Sequence, residues 1–282
     1  MPTPTFDLET VIAVAQRAGQ LVMQLRQDGL RNVRGKSNET DLVTEADLAS
    51  EALIREALHE VYPFVGFWGE ESNKPPQEEF FWVVDPVDGT TNYANGVPFY
   101  AVNIALQQGE LALLGVTVQL PSGHIYWAKP GEGAYVRNPL GGQQRLRVNQ
   151  VDQVARALLT TGFPYHRAES PDNNSAEFNY FLTRALAVRC MGSAALDLAN
   201  VASGAMAAFW EGWLNPWDVA PGALLVREAG GQVTDYAGKP WTFASRGLVA
   251  SNGQPELHRE LLACIEQARA GLPALWLPDA GK

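Results

Sequence analysis

The segment Asp85-Pro86-Val87-Asp88-Gly89-Thr90-Thr91-Asn92 concentrates the side chains best suited to chemistry. Its two carboxylates stand three residues apart and can hold a hard cation such as Mg²⁺, which prefers oxygen ligands. If Gly89 opens a helical turn, the free N–H groups and the positive dipole end of that turn suit a phosphate. The segment therefore predicts a cation site beside an anion site, and its alternative interpretation is a plain turn capped by the aspartates.

Three other acidic segments could join this site, and each also has a structural interpretation. Glu70 and Glu71, in Trp68-Gly69-Glu70-Glu71-Ser72, lie in a predicted loop where they could simply be solvated. Asp218 opens a helical run and could be its N-cap. Residues 41–47 precede another helix, whose dipole favours acidic residues near its start.

A buried strand is predicted to carry Asp85 at its carboxyl end, because the apolar run Phe81-Trp82-Val83-Val84 leads directly into it. Open α/β sheets bind ligands at that end of their strands. Upstream, apolar residues at helical spacing predict one helix over residues 8–27, with Asp7 as its N-cap, and a second over residues 48–60.

The rest of the chain changes character near Asn149. Before it, four β-rich runs separated by turns predict an antiparallel sheet, over residues 99–106, 111–118, 124–128 and 134–136. After it, strands near Leu158, Val188 and Ala207 alternate with helical stretches over residues 176–187, 193–203, 218–229 and 255–270. We therefore predict an α/β (α+β) fold of two packed halves, residues 1–148 and 149–282. Residues 271–282, with two prolines, are expected to be a surface appendage.

Composition narrows the function classes. A net charge of −10 and a pI near 4.9 argue against a nucleic acid partner, which would require a basic surface. Cys190 and Cys264 lack metal-ligand spacing and are predicted to be buried thiols of a reducing compartment. With neither a leader-like start nor eighteen consecutive apolar residues, the protein is expected to be cytoplasmic and to have no membrane partner.

Other sequence stretches that resemble functional motifs are incomplete. Gly35-Lys36-Ser37 resembles the end of a P-loop, but Leu30 stands where the leading glycine should be. Gly131-Glu132-Gly133 lacks the third glycine of a dinucleotide fingerprint. The four histidines lie outside the contexts of hydrolase and metalloprotease motifs.

Taken together, the segments resemble the inositol monophosphatase family in order and in spacing, over nearly the whole chain. The matching stretches are Gly35-Lys36 with residues 41–47, Gly69-Glu70-Glu71-Ser72, residues 85–92, Gly192-Ser193-Ala194-Ala195, and residues 217–222 with Glu228-Ala229-Gly230-Gly231. The resemblance implies a layered αβαβα sandwich, a Mg²⁺-dependent phosphomonoesterase activity and sensitivity to Li⁺. It also implies that the metal site lies where the two halves meet.

The resemblance also implies roles for individual residues. Two or three Mg²⁺ ions would be held by four carboxylates and one backbone carbonyl, those of Glu70, Asp85, Asp88, Asp218 and Val87. Asp47 and Thr90 would form a proton relay that activates a water held near Glu70, with Lys36 and Glu71 in support. The substrate would contact Asp88, Gly89, Thr90, Gly192, Ser193, Ala194, Glu211 and Asp218.

Some of these residues have plain alternatives or no role. Ser193 could be an ordinary N-cap and Glu211 a solvated residue between two tryptophans, while Asp197, Trp213 and Trp217 are left without an assigned role. The expected substrate is a small phosphorylated polyol or sugar, foremost inositol monophosphate. Fructose 1,6-bisphosphate, histidinol phosphate and a nucleotide 2′- or 3′-phosphate remain open, because specificity resides in loops such as residues 163–174.

A different class of function is a regulatory module that keeps the fold without turnover. The loss of a metal carboxylate would mark such a module, and all four carboxylates are present. Relatives commonly dimerise, so a homodimer is expected from the resemblance.

Overall fold

The computed structural model describes residues 5–29, 33–36 and 42–270. Asp41 and residues 271–282, on which two of the expectations above fall, lie outside the described residues. The described helices are α1 (Leu8–Gln27), α2 (Glu45–Val61), α3 (Thr90–Asn95), α4 (Ser175–Leu182), α5 (Ala194–Ala202), α6 (Pro216–Glu228) and α7 (Pro255–Arg269). The strands are β1 (Arg34–Gly35), β2 (Leu42–Val43), β3 (Gly66–Gly69), β4 (Phe80–Asp88), β5 (Tyr100–Gln108), β6 (Leu111–Leu120), β7 (Ile125–Lys129), β8 (Gly133–Arg137), β9 (Gln143–Arg145), β10 (Leu158–Thr161), β11 (Ala187–Arg189), β12 (Ala208–Gly212), β13 (Gln232–Thr234) and β14 (Gly247–Ser251).

Two sheets and three pairs of helices alternate in five layers. The first sheet has the order β3-β4-β5-β6-β7-β8-β9, antiparallel except for the parallel pair β3 and β4. The second has the order β11-β10-β12-β14-β13, in which β10 runs parallel to both of its neighbours. Helices α1 and α2 cover one face of the first sheet, α5 and α6 lie between the sheets, and α4 and α7 cover the second. The predicted αβαβα sandwich is confirmed.

Strand β5 shows why the first sheet needs helices on both faces. Val102, Ile104 and Leu106 point into the core formed with α1 and α2, whereas Ala101 and Ala105 point to the opposite face. The small side chains on that face let α6 approach closely. At Gly115 of β6 a Cβ atom would lie 2.9 Å from the Cα of Pro221 in α6, so glycine is required there.

Helix α6 is an interior helix. Eight consecutive residues, from Val219 to Val226, are buried, which is the pattern of a helix that is apolar all round. Because α6 packs against strands of both sheets, it places its first turn, with Asp218, against the end of β4.

Most predicted elements are present, with instructive shifts. Helix α1 has the predicted bounds, and Asp7 caps it by accepting the N–H of Thr10 at 2.8 Å. Helix α2 begins three residues earlier than predicted, because Thr44 and Asp47 form a capping box at its start. Strands β1, β2, β3, β9, β13 and β14 were not predicted. The division into two halves at residue 148 stays a prediction.

One prediction about the cysteines is wrong. Cys264 is buried, but Cys190 is exposed. It directly follows β11, a three-residue strand at the edge of the second sheet, where no neighbouring strand covers it. None of the described helices is both long and apolar enough to span a membrane.

Candidate active site

Three aspartates, two of them buried and the third half-buried, form an acidic cluster at the end of β4. One carboxylate oxygen each from Asp85, Asp88 and Asp218 lies within 4.8 Å of the others. In a regular strand, Asp85 and Asp88 would point to opposite faces, since they are three residues apart. The pairing of β4 with β5 is irregular between these two residues, and Pro86, which has no N–H for the ladder, lies within the irregularity. The irregularity turns both carboxylates towards one site.

Asp218 reaches the cluster from the first turn of α6, but not as the N-cap that the sequence suggested. Asn215 is the cap, and Asp218 is the third helical residue, whose Oδ2 accepts the N–H of Asn215 at 2.7 Å. The interpretation of Asp218 as the N-cap is therefore wrong. The helix begins at Pro216, two residues before Asp218, because proline is favoured at the first helical position.

The start of α6 is fastened to the first sheet by a residue that the sequence did not single out. Pro221 has no N–H to donate to the carbonyl of Trp217, four residues before it. Asn103 of β5 takes that carbonyl, donating from Nδ2 at 2.7 Å, and its Oδ1 accepts the hydroxyl of Thr117 at 2.6 Å. An asparagine within a β-rich apolar run is the only sequence sign of this role.

The electrostatics of the cluster favour a cation. Burial, together with neighbouring carboxylates including Glu70, raises the pKa of Asp85 and Asp218 well above the usual range. Burial also raises the pKa of Asp88 to about 6. Such a group of all-oxygen anionic ligands, with no imidazole or thiolate among them, fits a hard divalent cation such as Mg²⁺.

Glu70 is held beside the cluster by backbone and side-chain contacts. It follows β3, and its N–H donates to the carbonyl of Val84 at 3.0 Å, so Trp68 and Gly69 belong to a strand rather than to the predicted loop. Lys36 pairs with Glu70 at 2.8 Å and with Glu71 at 2.7 Å. Burial opposes the charge of Lys36, but these two carboxylates raise its pKa, while burial raises that of Glu71 to about 7.

A buried glutamate of α2 shapes this turn and escaped the sequence analysis. Glu51 accepts the N–H of Glu71 at 2.8 Å and pairs with Arg55 at 2.8 Å. At Gly69 a Cβ atom would lie 2.2 Å from Oε2 of Glu51, so the carboxylate occupies space that only glycine leaves. Glu51 of α2 thus positions the backbone of Glu71, which lies twenty residues later in the chain.

Thr90 and Asp47 are in direct contact, as the predicted relay requires. The Thr90 hydroxyl lies 3.0 Å from Oδ1 of Asp47 and 3.0 Å from the carbonyl oxygen of Val87. The other carboxylate oxygen of Asp47 accepts the N–H and the hydroxyl of Thr44, at 2.8 and 2.5 Å. Burial raises the pKa of Asp47 to about 6.

Two glycine-led turns meet over the cluster. Gly89 has a φ of 89°, and a Cβ atom there would lie 3.0 Å from the carbonyl oxygen of Gly192. It precedes α3, so the predicted helical turn is present. Ser193 caps α5, and its hydroxyl donates to Oδ2 of Asp88, which also accepts the N–H of Ala195 at 3.0 Å. Ser193 is therefore both an N-cap and a contact of the cluster.

Glu211 lines the same cavity and is buried, so the solvated alternative is wrong. Its position on β12, a central strand of the second sheet, removes it from water. Burial, and then Asp197, raise its pKa well above the usual range. At Gly162 a Cβ atom would lie 2.3 Å from Oε2 of Glu211, so this carboxylate rests on the bare backbone of a glycine.

A cavity of about 720 Å³ joins these groups. Its wall includes the predicted residues Glu70, Asp85, Val87, Asp88, Gly89, Thr90, Gly192, Ser193, Ala194, Glu211 and Asp218. Lys36 and Asp47 bond to residues of this wall, and Glu71 shares Lys36 with Glu70. The wall also includes Phe163, His166 and Arg167, from the loop 163–174 that was expected to set specificity, together with Cys190 and Trp213, to which no role was assigned. The roles of all these residues remain predictions.

Comparisons with known proteins agree with the geometry. The sequence model of the inositol monophosphatase family matches residues 6–270. An inositol-1-monophosphatase of Caulobacter vibrioides is 37% identical over 237 residues, which cover 83% of this chain and 90% of that protein. A Nus factor SuhB of Pseudomonas aeruginosa is 35% identical, over 92% of this chain and 95% of that protein.

Solved structures show the same similarity. The structure of an inositol monophosphatase from Anabaena superposes with a TM-score of 0.80 at 34% identity, and covers 92% of this chain and 95% of that one. The family is metal-dependent, in keeping with the acidic cluster. The matched length, the shared fold and the named relatives together make this chain an enzyme of the inositol monophosphatase family with a phosphatase scaffold.

Proposed function

We propose that this enzyme hydrolyses a small phosphate monoester of a polyol in a Mg²⁺-dependent reaction, with inositol monophosphate as its foremost substrate. The observation that carries this proposal is that a cation-binding cluster and a buried, hydroxyl-accepting carboxylate, Glu211, face one cavity. A carboxylate can accept two hydroxyl hydrogen bonds from a ring alcohol. The relatives named inositol-1-monophosphatase support the same substrate.

The cation would be held by Asp85, Asp88 and Asp218, with Glu70 and the carbonyl of Val87 beside them. Bound Mg²⁺ lowers the barrier to attack by water and neutralises charge on the phosphoryl oxygens. Because the three aspartates lie close together, and Asp85 and Asp88 are buried, a phosphate dianion would be repelled from them without a cation. Activity should therefore require a bound metal ion, regardless of whether two or three ions bind.

The chain's own residues provide the proton acceptor. When the Thr90 hydroxyl donates to Oδ1 of Asp47, the lone pairs of its oxygen can accept a proton from the attacking water. Asp47 then holds that proton, and its pKa of about 6 suits a base that is ionised at neutral pH. At the start of α3, the backbone N–H groups of Gly89 and Thr90 are donors for phosphoryl oxygens.

Glu211 and Gly192-Ser193-Ala194 form the alcohol side of the proposed site. Glu211 is placed by Gly162, and Ser193 aligns Asp88 so that it can also accept a hydroxyl of the substrate. From the family membership we further propose sensitivity to Li⁺ and assembly as a homodimer. The cytoplasmic location expected from the sequence stays a prediction.

A panel of substrates tests the proposal. Phosphate release from inositol 1-phosphate, fructose 1,6-bisphosphate, histidinol phosphate and a nucleotide 3′-phosphate is measured with purified enzyme at saturating Mg²⁺. We expect the highest kcat/KM for inositol 1-phosphate. Glu211→Gln, which keeps the shape of the side chain, should raise KM for that ester by about tenfold. A preference for the bisphosphate or for a nucleotide would contradict the substrate assignment.

A further inference from the structure

Part of the cavity wall is formed by a loop, residues 163–174, here named the recognition loop. Its first residues line the cavity, whereas Asp172 near its end is buried away from solvent. Two side chains from distant parts of the chain bind Asp172. The indole N–H of Trp213 donates to its backbone carbonyl at 3.0 Å, and Arg269 pairs with its carboxylate at 2.7 Å.

Trp213 makes its contact from a costly backbone conformation. Its φ is +69°, in the left-handed region that bulky residues rarely adopt. Such strain persists only where surrounding contacts enforce it, and it concentrates at functional sites. Here the ring of His166 in the recognition loop meets the indole edge-on at 5.0 Å, and the Arg246 guanidinium lies 5.0 Å from the indole centre. The indole is therefore fixed against the loop.

Arg269, the last residue of α7, contacts the same loop. Besides Asp172, it pairs with the fully buried Glu177 at the start of α4. Its guanidinium also lies 5.3 Å from the ring centre of Tyr236. The Tyr236 hydroxyl would be 3.6 Å from a Cβ atom at Gly212, the residue before Trp213. Arg269 thus connects the recognition loop to the strand end that carries Trp213.

The base of the loop is closed by a separate set of bonds. Asn174 donates to the hydroxyl of Thr161 at 2.7 Å and to the carbonyl of Gly162, and its Oδ1 accepts the indole N–H of Trp210 at 2.7 Å. With the base closed in this way, Asp172 is a further point at which the loop is held, beside the contact of His166 with Trp213.

We propose that Trp213 and Arg269 are positioning residues which, through Asp172, set the recognition loop against the cavity and so determine which alcohols the enzyme accepts. The inference rests on the proposed phosphatase function. Neither residue needs to touch the reacting atoms, because a shift of the loop changes the shape of the alcohol side and leaves the acidic cluster in place. The substrate class that depends on the anchor is the cyclic polyol phosphate, since a ring fills more of the cavity than a short linear alcohol.

Trp213→Gly tests the anchor. Glycine adopts a positive φ without strain, so the fold should be kept while the indole is lost. We expect the ratio of kcat/KM for inositol 1-phosphate to that for glycerol 2-phosphate to fall by about tenfold, mainly through KM. Trp213→Phe keeps an aromatic ring beside His166 but removes the N–H donor, and should show a smaller fall. A ratio equal to that of the wild type in Trp213→Gly would overturn the proposal.

The role of Arg269 is tested by removing or keeping its charge, and by removing the charge of another arginine in the same helix. Arg269→Gln should lower the same ratio, and Arg269→Lys, which keeps a cation for Asp172 and Glu177, should recover part of it. Arg259→Gln is the matched control, because Arg259 is an exposed arginine of the same helix. A ratio lowered equally by Arg259→Gln, or not lowered by Arg269→Gln, would contradict a role for the anchor.

Amide hydrogen exchange separates this inference from the proposed function. In Trp213→Gly, residues 163–172 should exchange faster than in the wild type, while α6 and β4 exchange as before. If the wild type releases no phosphate from any ester, the proposed function fails, and unchanged exchange in the loop would separately refute the anchor. Faster exchange with an unchanged substrate ratio would refute its role in selectivity.

Discussion

The contact between Thr90 and Asp47 permits a test that separates proton transfer from metal binding. Thr90→Val keeps the branched shape and removes only the hydroxyl, which lies 3.0 Å from Oδ1 of Asp47. Asp47→Asn is also nearly isosteric. The asparagine oxygen can keep accepting from the N–H and hydroxyl of Thr44, which turns its NH₂ group towards Thr90. The helix cap then survives, but the direction of the hydrogen bond to Thr90 is reversed, and the acceptor of the proton is lost.

The expected magnitudes follow from this geometry. Loss of a general base costs about a hundred- to ten-thousandfold in kcat. At the lower end each single variant would lose about a hundredfold, or about 2.7 kcal/mol. Since both changes break the same transfer, the double variant should also lose about a hundredfold, whereas independent effects would multiply to about ten-thousandfold. The predicted coupling is therefore about as large as either single loss.

The assay is phosphate release at saturating Mg²⁺ and substrate, with Mg²⁺ affinity measured separately by calorimetry. Thr183→Val is the matched control, since Thr183 is an exposed threonine outside the cavity wall. Its kcat should stay within about threefold of the wild type. Additive losses in the double variant, or a Thr90→Val enzyme that is slow only because it binds Mg²⁺ weakly, would refute the relay.

Three further predictions concern the walls of the site. Asp218→Asn should fold normally, because the asparagine oxygen can still accept the N–H of Asn215, but kcat should drop by at least about a hundredfold; near-wild-type turnover would contradict a metal-ligand role. Gly162→Ala should raise KM more than it lowers kcat, since its methyl would lie 2.3 Å from Oε2 of Glu211, and unchanged steady-state kinetics would argue against that placement. In EDTA, the melting temperature should fall as pH rises from about 4 to 6, because Asp47 and Asp88, with folded pKa values of about 6, bind more protons in the folded state than in the unfolded state. Saturating Mg²⁺ should reverse that slope, because ligands bind metal when ionised, and a flat profile in EDTA would contradict the buried cluster.

The sequence predicted the parts of the site that lie in short contiguous motifs. The run from Phe81 to Asp85 predicted a strand that ends near a carboxylate, and Gly89 predicted a turn. Both features depend on local chain geometry, which a short stretch of sequence determines. It also predicted the layered fold, through the resemblance. The three-residue spacing of Asp85 and Asp88 could not show that the carboxylates converge, since the irregular pairing with β5 depends on the neighbouring strand.

Supporting residues were missed because they act across the fold. Asn103 is recognised as an anchor only when its amide is seen to replace the missing N–H of Pro221, more than one hundred residues later in the chain. Glu51 and Asp172 likewise look like ordinary acids until their partners, the N–H of Glu71 and the side chain of Arg269, are placed. Trp213 gives no sequence sign of its strained backbone. The roles of such residues depend on tertiary contacts, and a single sequence does not show which distant residues are in contact.

We expect the aspartate cluster to make the phosphatase activity of this enzyme dependent on a metal ion. The most direct measurement is phosphate release from inositol 1-phosphate by enzyme stripped with EDTA and then titrated with Mg²⁺, with Asp218→Asn in parallel. We expect no release from the stripped enzyme, full recovery in the wild type as Mg²⁺ saturates, and no comparable recovery in Asp218→Asn. Undiminished turnover after stripping, or no release at any Mg²⁺ concentration, would contradict it.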